Sequence, residues 1–311
     1  MRTILFLFFI LMLASCSKNP VEETNEAIDV ALSLLSKGEC DEALSVLNDA
    51  GNPGDNGIYL QVLASAHACK AGFDEIAFIN DDLADMDTTS GSTILKSISV
   101  ASLSDETAPD SADYVSIRTG IDTILNSTST VGQTARTSKF GVRKSGDMGV
   151  QALILSIVNL GKFLNYYGNV DATGVKGGGT GTNNCFINYN DPRAQAVTGA
   201  TTGACASDSD GHPDLDQATA TGKRRICEGL MLVTNTLDIL DNIDLSGASS
   251  LSKLEEVSAK VNTFKTAAVA AGLGTLINMT SQSQCETYIN TPAQLLDMEY
   301  LYALVFETGL Q

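Results

Sequence analysis

The sequence predicts an all-α protein, with helix pairs packed on a helical bundle and one long Gly/Asn/Asp-rich loop tied down by a disulfide. Three observations support this. Apolar residues recur at three- and four-residue spacings in one segment after another, and no segment sustains the period-two alternation of a half-buried strand. Nine of the 27 glycines fall between Gly168 and Gly211, mixed with Asn, Thr and Asp, so helix should give way to loop there. Six of the seven cysteines lie downstream of residue 39, an even number suited to pairing.

At the N-terminus, Met1-Arg2-Thr3 is a short positive start, and Ile4 to Leu13 is an apolar run too short to span a bilayer comfortably. Residues 1–15 therefore read as a signal peptide. Leu13-Ala14-Ser15-Cys16 follows at once and resembles the lipobox of bacterial lipoproteins, small residues before a cysteine whose thiol receives a diacylglycerol. The resemblance implies lipidation of Cys16 and a membrane anchor, since each buried acyl methylene contributes about 0.8 kcal/mol. Residues 16–23, polar and without a core pattern, are expected to form the lipidated tether. By resemblance to sorted lipoproteins, Ser17 after the cysteine implies the outer membrane of a two-membrane bacterium, with the body facing the periplasm. In a one-membrane host the same anchor would sit in the cell membrane.

Residues 24–108 form an acidic helical segment. Residues 22–113 hold 19 acidic and 3 basic side chains, which is most of the chain's net charge of −18. Lys37-Gly38-Glu39-Cys40-Asp41-Glu42-Ala43 aligns with Lys70-Ala71-Gly72-Phe73-Asp74-Glu75-Ile76 at an offset of 33, with Gly72 displaced by one position and the polar Asn80 where an apolar residue is expected. With Ala31, Gly38, Cys40, Ala43, Leu47 and Ala50 at small or apolar positions, the segment resembles tetratricopeptide-type helix pairs. That resemblance implies close-packed helices that lean on whatever follows.

Residues 109–311 read as a helical bundle with a loop insertion at 168–212. Ile117, Ile121 and Ile124 mark an amphipathic helix. Asp147 to Tyr167 is apolar nearly all round, interrupted by Gln151, Ser156, Asn159 and Lys162, and so reads as a buried central helix rather than a membrane span. Ile226, Leu230, Val233, Leu237 and Leu240 form one apolar stripe, and Leu251, Leu254, Val257, Val261 and Phe264 another. Thr291-Pro292-Ala293-Gln294 opens a last helix with an N-cap, a first-turn proline and a capping-box glutamine. The expected disulfides are Cys40–Cys69 and Cys185–Cys205 across the loop, leaving Cys227 for Cys285, out of fifteen formal connectivities.

Candidate chemistry is sparse. Asp208, Asp210, Asp214 and Asp216, around Gly211 and His212, alternate as calcium ligands do, but an EF-hand register would put Ala206 first and Gln217 last. Lys176-Gly177-Gly178-Gly179-Thr180-Gly181-Thr182 lacks the Gly-Lys-Ser/Thr that follows in a phosphate loop, and no strand precedes it, so it reads as flexible loop. His67 reads as a helix residue and His212 as part of the acidic turn. Arg136, Lys139, Arg143 and Lys144 read as a small solvated basic loop. No nucleophile–base arrangement is visible, so no catalytic residue and no obligate cofactor is expected. The acidic balance argues against nucleic acid. The leading expectation is a membrane-anchored envelope lipoprotein that docks an envelope protein partner. The alternative is a solute-binding or transport-accessory lipoprotein, signalled by a pocket near Tyr166 and Tyr167. A cell-wall or polysaccharide enzyme with a carboxylate pair ranks last.

Overall fold

A computed structural model describes residues 19–52, 54–74, 78–101, 111–201, 205, 210–243 and 252–310. Cys16 lies outside these residues. Helix α1 (Pro20–Leu35) starts inside the expected tether: the Asn19 side chain accepts from Val21 N at 3.1 Å, Pro20 occupies the first turn, and Glu22 and Glu23 favour the positive helix end. Helix α2 (Cys40–Ala50) and helix α3 (Gly57–Lys70) complete the acidic unit. Ala27, Ile28, Ala31, Ala43, Leu44 and Leu47 are buried between them, and the Tyr59 hydroxyl donates to Leu47 O at 2.8 Å. The Cys40–Cys69 disulfide ties the start of α2 to the end of α3.

The two glycine turns repeat each other. Gly38 and Gly72 both have φ of +76°, a conformation glycine adopts without a Cβ penalty. Glu39 N donates to Leu34 O and Gly38 N to Leu35 O, both at 3.0 Å. Phe73 N donates to Ala68 O at 3.0 Å and Gly72 N to Cys69 O at 2.9 Å. The turns therefore match at an offset of 34, and the apparent displacement of Gly72 disappears. After the second turn the described chain makes only a π-helical turn, Phe78–Asp82, and the short Leu83–Asp85, with Asn80 exposed.

The bundle comprises α4 (Gly91–Ser99), α5 (Ala112–Leu125), α6 (Gln133–Phe140), α7 (Val142–Gly168), α8 (Pro192–Thr201), α9 (Ala220–Asn242), α10 (Ser252–Ala270), α11 (Gln282–Tyr288) and α12 (Pro292–Tyr302). Among the described residues there is no β-strand, only an isolated bridge between Cys185 and Gly211. Helix α7 is the axis, packed by α3, α4, α5, α6 and α9. It is long and apolar enough to cross a bilayer, but 83% of its most apolar window is buried in the protein, as in a core helix. Through α3, which packs on α5 and α7, the acidic unit shares one core with the bundle.

Helix α9 departs from the one-sided stripe. It is buried on nearly all sides from Arg225 to Leu240, because α7, α10, α11 and the turn Pro213–Leu215 all pack on it. Gly229 allows that crowding: a Cβ there would lie 2.6 Å from both Phe163 Cε1 and Tyr302 Oη. On α10, Val257 is buried and Phe264 half-buried; Leu251 and the side chains of Leu254 and Val261 lie outside the described residues. Thr291 caps α12 by accepting from Gln294 N at 3.4 Å, and its hydroxyl donates to Gln294 Oε1 at 2.6 Å.

The glycine-rich segment is not wholly irregular, since it contains α8. Asp191 caps that helix, accepting from Arg193 N at 2.7 Å, and Pro192 fits the first turn. Two buried glutamates at the C-terminal end hold the segment down. Glu307, in the π-helical turn Ala303–Glu307, accepts from Phe186 N at 2.8 Å and the Tyr189 hydroxyl at 2.6 Å, and pairs with Lys176 at 2.5 Å. Glu299 accepts from Asn190 N at 2.6 Å and Asp191 N at 2.7 Å. The Cys185–Cys205 disulfide closes the loop beside them.

Candidate functional site

The sequence candidates do not converge. Asp208 lies outside the described residues. Asp214 accepts from the Tyr166 hydroxyl at 3.2 Å, Asp216 accepts from Ala218 N at 2.9 Å, and Asp210 is also engaged. No group of these carboxylates comes close enough to share an ion among the described residues. Cys185, Cys205 and Glu307 do cluster, but both sulfurs are in the disulfide. His212 accepts from Asp214 N at 3.2 Å and lies edge-on to Tyr167, while the Tyr167 hydroxyl takes a 2.8 Å bond from Arg225. At the Tyr166–Tyr167 corner the two rings pack on each other and on His212, and both hydroxyls are bonded, to Asp214 and Arg225.

The basic loop also resolves differently. Arg136 is fully buried on α6, donating through Nε and Nη2 to Gln133 Oε1 at 3.1 and 2.9 Å, while the Gln133 amide nitrogen is spent on Ser145. Burial lowers the Arg136 pKa against the charge of Asp238. Lys139 and Arg143 are exposed, as a solvated run should be, though they lie on α6 and α7 rather than in a loop, and Lys139 reaches the exposed Asp55 at 3.4 Å.

Among the cavities of the described residues, one of about 290 Å³ lies between α5, α7 and α9, with Thr280–Ser283 at its edge. Helical spacing places each wall. Arg118, Ile121, Asp122 and Leu125 share one face of α5; Glu228, Met231, Leu232 and Asn235 share one face of α9; Ser156 and Asn159 lie one turn apart on α7. The Cys227–Cys285 disulfide, beside Glu228, fastens α11 and the edge segment to α9.

Charge lines one side. Arg118 Nη1 pairs with Glu228 Oε1 at 2.7 Å, and its Nε lies 3.9 Å from Asp122 Oδ2. Partial desolvation raises the Asp122 pKa, opposed by Arg118 and reinforced by Glu228. Tyr114, buried behind Glu228, is held well above the ordinary phenol range by burial and then by that carboxylate's charge. Apolar side chains from the same helix faces, Ile121, Leu125, Met231 and Leu232, with Val131, complete the lining.

The unusual feature is at the α7 wall. Asn159 has no solvent exposure, yet neither Oδ1 nor Nδ2 has a partner, and the Ser156 hydroxyl is in the same state. Such groups cost about 1–3 kcal/mol each when left unmet, and protein interiors nearly always meet them. Both line the cavity. The sequence signal was present, two polar residues three apart in an otherwise apolar helix, but such a break also fits internal pairing. Gln151 is met on one side only: its amide nitrogen donates to Gln61 O and Ser65 Oγ, while its Oε1 is also buried without a partner.

Comparison with known proteins adds no relative: no family model matches the chain, and neither a curated protein nor a solved structure is significantly similar to it.

Proposed function

We propose that this chain is a membrane-anchored envelope lipoprotein whose helical body binds a small polar solute between α5, α7 and α9. The observation that carries the reading is Asn159: a fully buried carboxamide with donor and acceptor both unused, in the wall of a cavity large enough for a small molecule. The anchor rests on the lipobox-like Leu13-Ala14-Ser15-Cys16. Native mass spectrometry of the full chain, taken gently from membranes, should show a bound small molecule that is lost in Asn159→Leu. A single unadorned protein mass in both would contradict the reading.

A second reading is docking of an envelope protein on the acidic unit, in the manner the tetratricopeptide resemblance implies. It is favoured by the two matched turns at an offset of 34 and by Val21, Val30 and Leu32, left exposed on α1. Crosslinking in cells from α1 should recover one specific partner; recovery of abundant porins and bulk lipoproteins alone would count against it.

A further inference from the structure

We propose that the cavity takes a neutral polyhydroxylated molecule of about one sugar ring, a monosaccharide or cyclitol, read through the Asn159 amide and the Ser156 hydroxyl. This rests on the cavity being a ligand site and goes on to name the class. Size sets the first limit: about 290 Å³ is at the small end of ligand pockets, which run roughly 300–1,000 Å³, so it suits one ring rather than a chain of them.

Hydrogen-bond chemistry sets the second. An ammonium only donates and a carboxylate or phosphate only accepts, so neither can satisfy both Asn159 Nδ2 and Oδ1. A hydroxyl does both, and two adjacent hydroxyls offer a donor and an acceptor to the two ends of a carboxamide. Ser156, one turn away, can serve a third. Asn126, Asn235, Thr280 and Ser281 spread further groups of mixed capacity around the wall, which suits hydroxyls on several sides of a ring better than a single amide.

Charge sets the third. The guanidinium of Arg118 is already bound to Glu228 at 2.7 Å and shares its other edge with Asp122, so the lining is net negative and has no cation to spare for an anion. Ile121, Leu125, Met231 and Leu232 then offer apolar contacts to the C–H groups of the ring.

The test uses the full chain in a detergent without a sugar headgroup. Calorimetric titration runs neutral monosaccharides and cyclitols, their phosphorylated forms, primary amines and polyamines, and amino-acid amides. At least one neutral polyol should bind saturably, its phosphorylated form should not, and Asn159→Leu should weaken binding about 10- to 100-fold, the worth of two hydrogen bonds. The unliganded variant should melt no lower than the wild type, because leucine fills similar space without an unmet amide. Binding of amines, phosphates or amides alone would overturn the polyol assignment while leaving the cavity a ligand site. No binding by any class, or a marked loss of stability in Asn159→Leu, would overturn both.

Discussion

Lys176 and Glu307 place opposite charges where their side chains are 4% and 0% exposed, and Lys176 also donates to Asn184 O at 3.1 Å. Breaking such a pair from one side leaves a buried charge without its partner, at a cost of about 3–5 kcal/mol. Glu307→Gln should lose that much in urea unfolding, while adding Lys176→Met should restore a large part; simple additivity of the two would show that the pair does not act as a unit. The histidines give a pH dependence. Burial lowers the pKa of His67, with Lys70 adding to the effect, and burial lowers that of His212 against the charge of Asp214. Between the lowered folded values and about 6.5, the unfolded chain binds more protons than the folded one, so stability rises with pH through that window and falls on acidification. Melting temperature between pH 7 and 5 should drop less in His212→Asn, whose side chain can still accept from Asp214 N. An unchanged slope would remove His212 from the account. Neither group could be assigned from sequence: Glu307 looks like any helix-end acid until Lys176, 131 residues away, meets it.

At the scale of elements, periodicity made most of the fold legible. Ile117, Ile121 and Ile124 are all buried on α5, and Asp147 to Tyr167 lies within the buried α7. What periodicity misses is packing on the second and third sides. The stripe on α9 understated its burial, which depends on Gly229 admitting Phe163 and Tyr302. Inside the glycine-rich segment, α8 was hidden because its composition reads as loop and its support comes from Glu299 on a distant helix. Within the basic run Arg136 departs from the solvated reading: it is buried with Gln133 Oε1 as acceptor, and that amide is oriented in turn by Ser145. The turns at Gly38 and Gly72 are testable singly. Alanine at either φ of +76° should cost about 1–2 kcal/mol, and calorimetric melting should show similar losses at the two sites. A negligible loss at Gly72 would mean that the second turn is not held as the first is. Replacing Cys227 and Cys285 by alanine removes a 58-residue closure; it should lower stability by about 2–4 kcal/mol and weaken any cavity ligand, since the edge segment hangs from that bond. Full retention of ligand affinity would uncouple the staple from the site.

For the whole molecule, the early start of α1 matters. Only three residues lie between Cys16 and Pro20, so a lipid on Cys16 would hold the acidic unit within roughly 14 Å of the bilayer even at full extension. Cys16→Ser should move the protein from the membrane fraction to the soluble fraction; a variant that still sediments with membranes would point to α7 or another segment as the attachment. The cavity is set in the bundle, on helices that share a core with the acidic unit, so partner docking and solute binding are compatible in one body. The unmet Asn159 amide is the feature on which the functional account turns, and its side-chain NH₂ resonance, assigned by loss in Asn159→Asp, reads it directly. On adding the small-molecule fraction of the cell envelope to the full chain, that resonance should shift; a resonance unmoved by the addition would contradict the account.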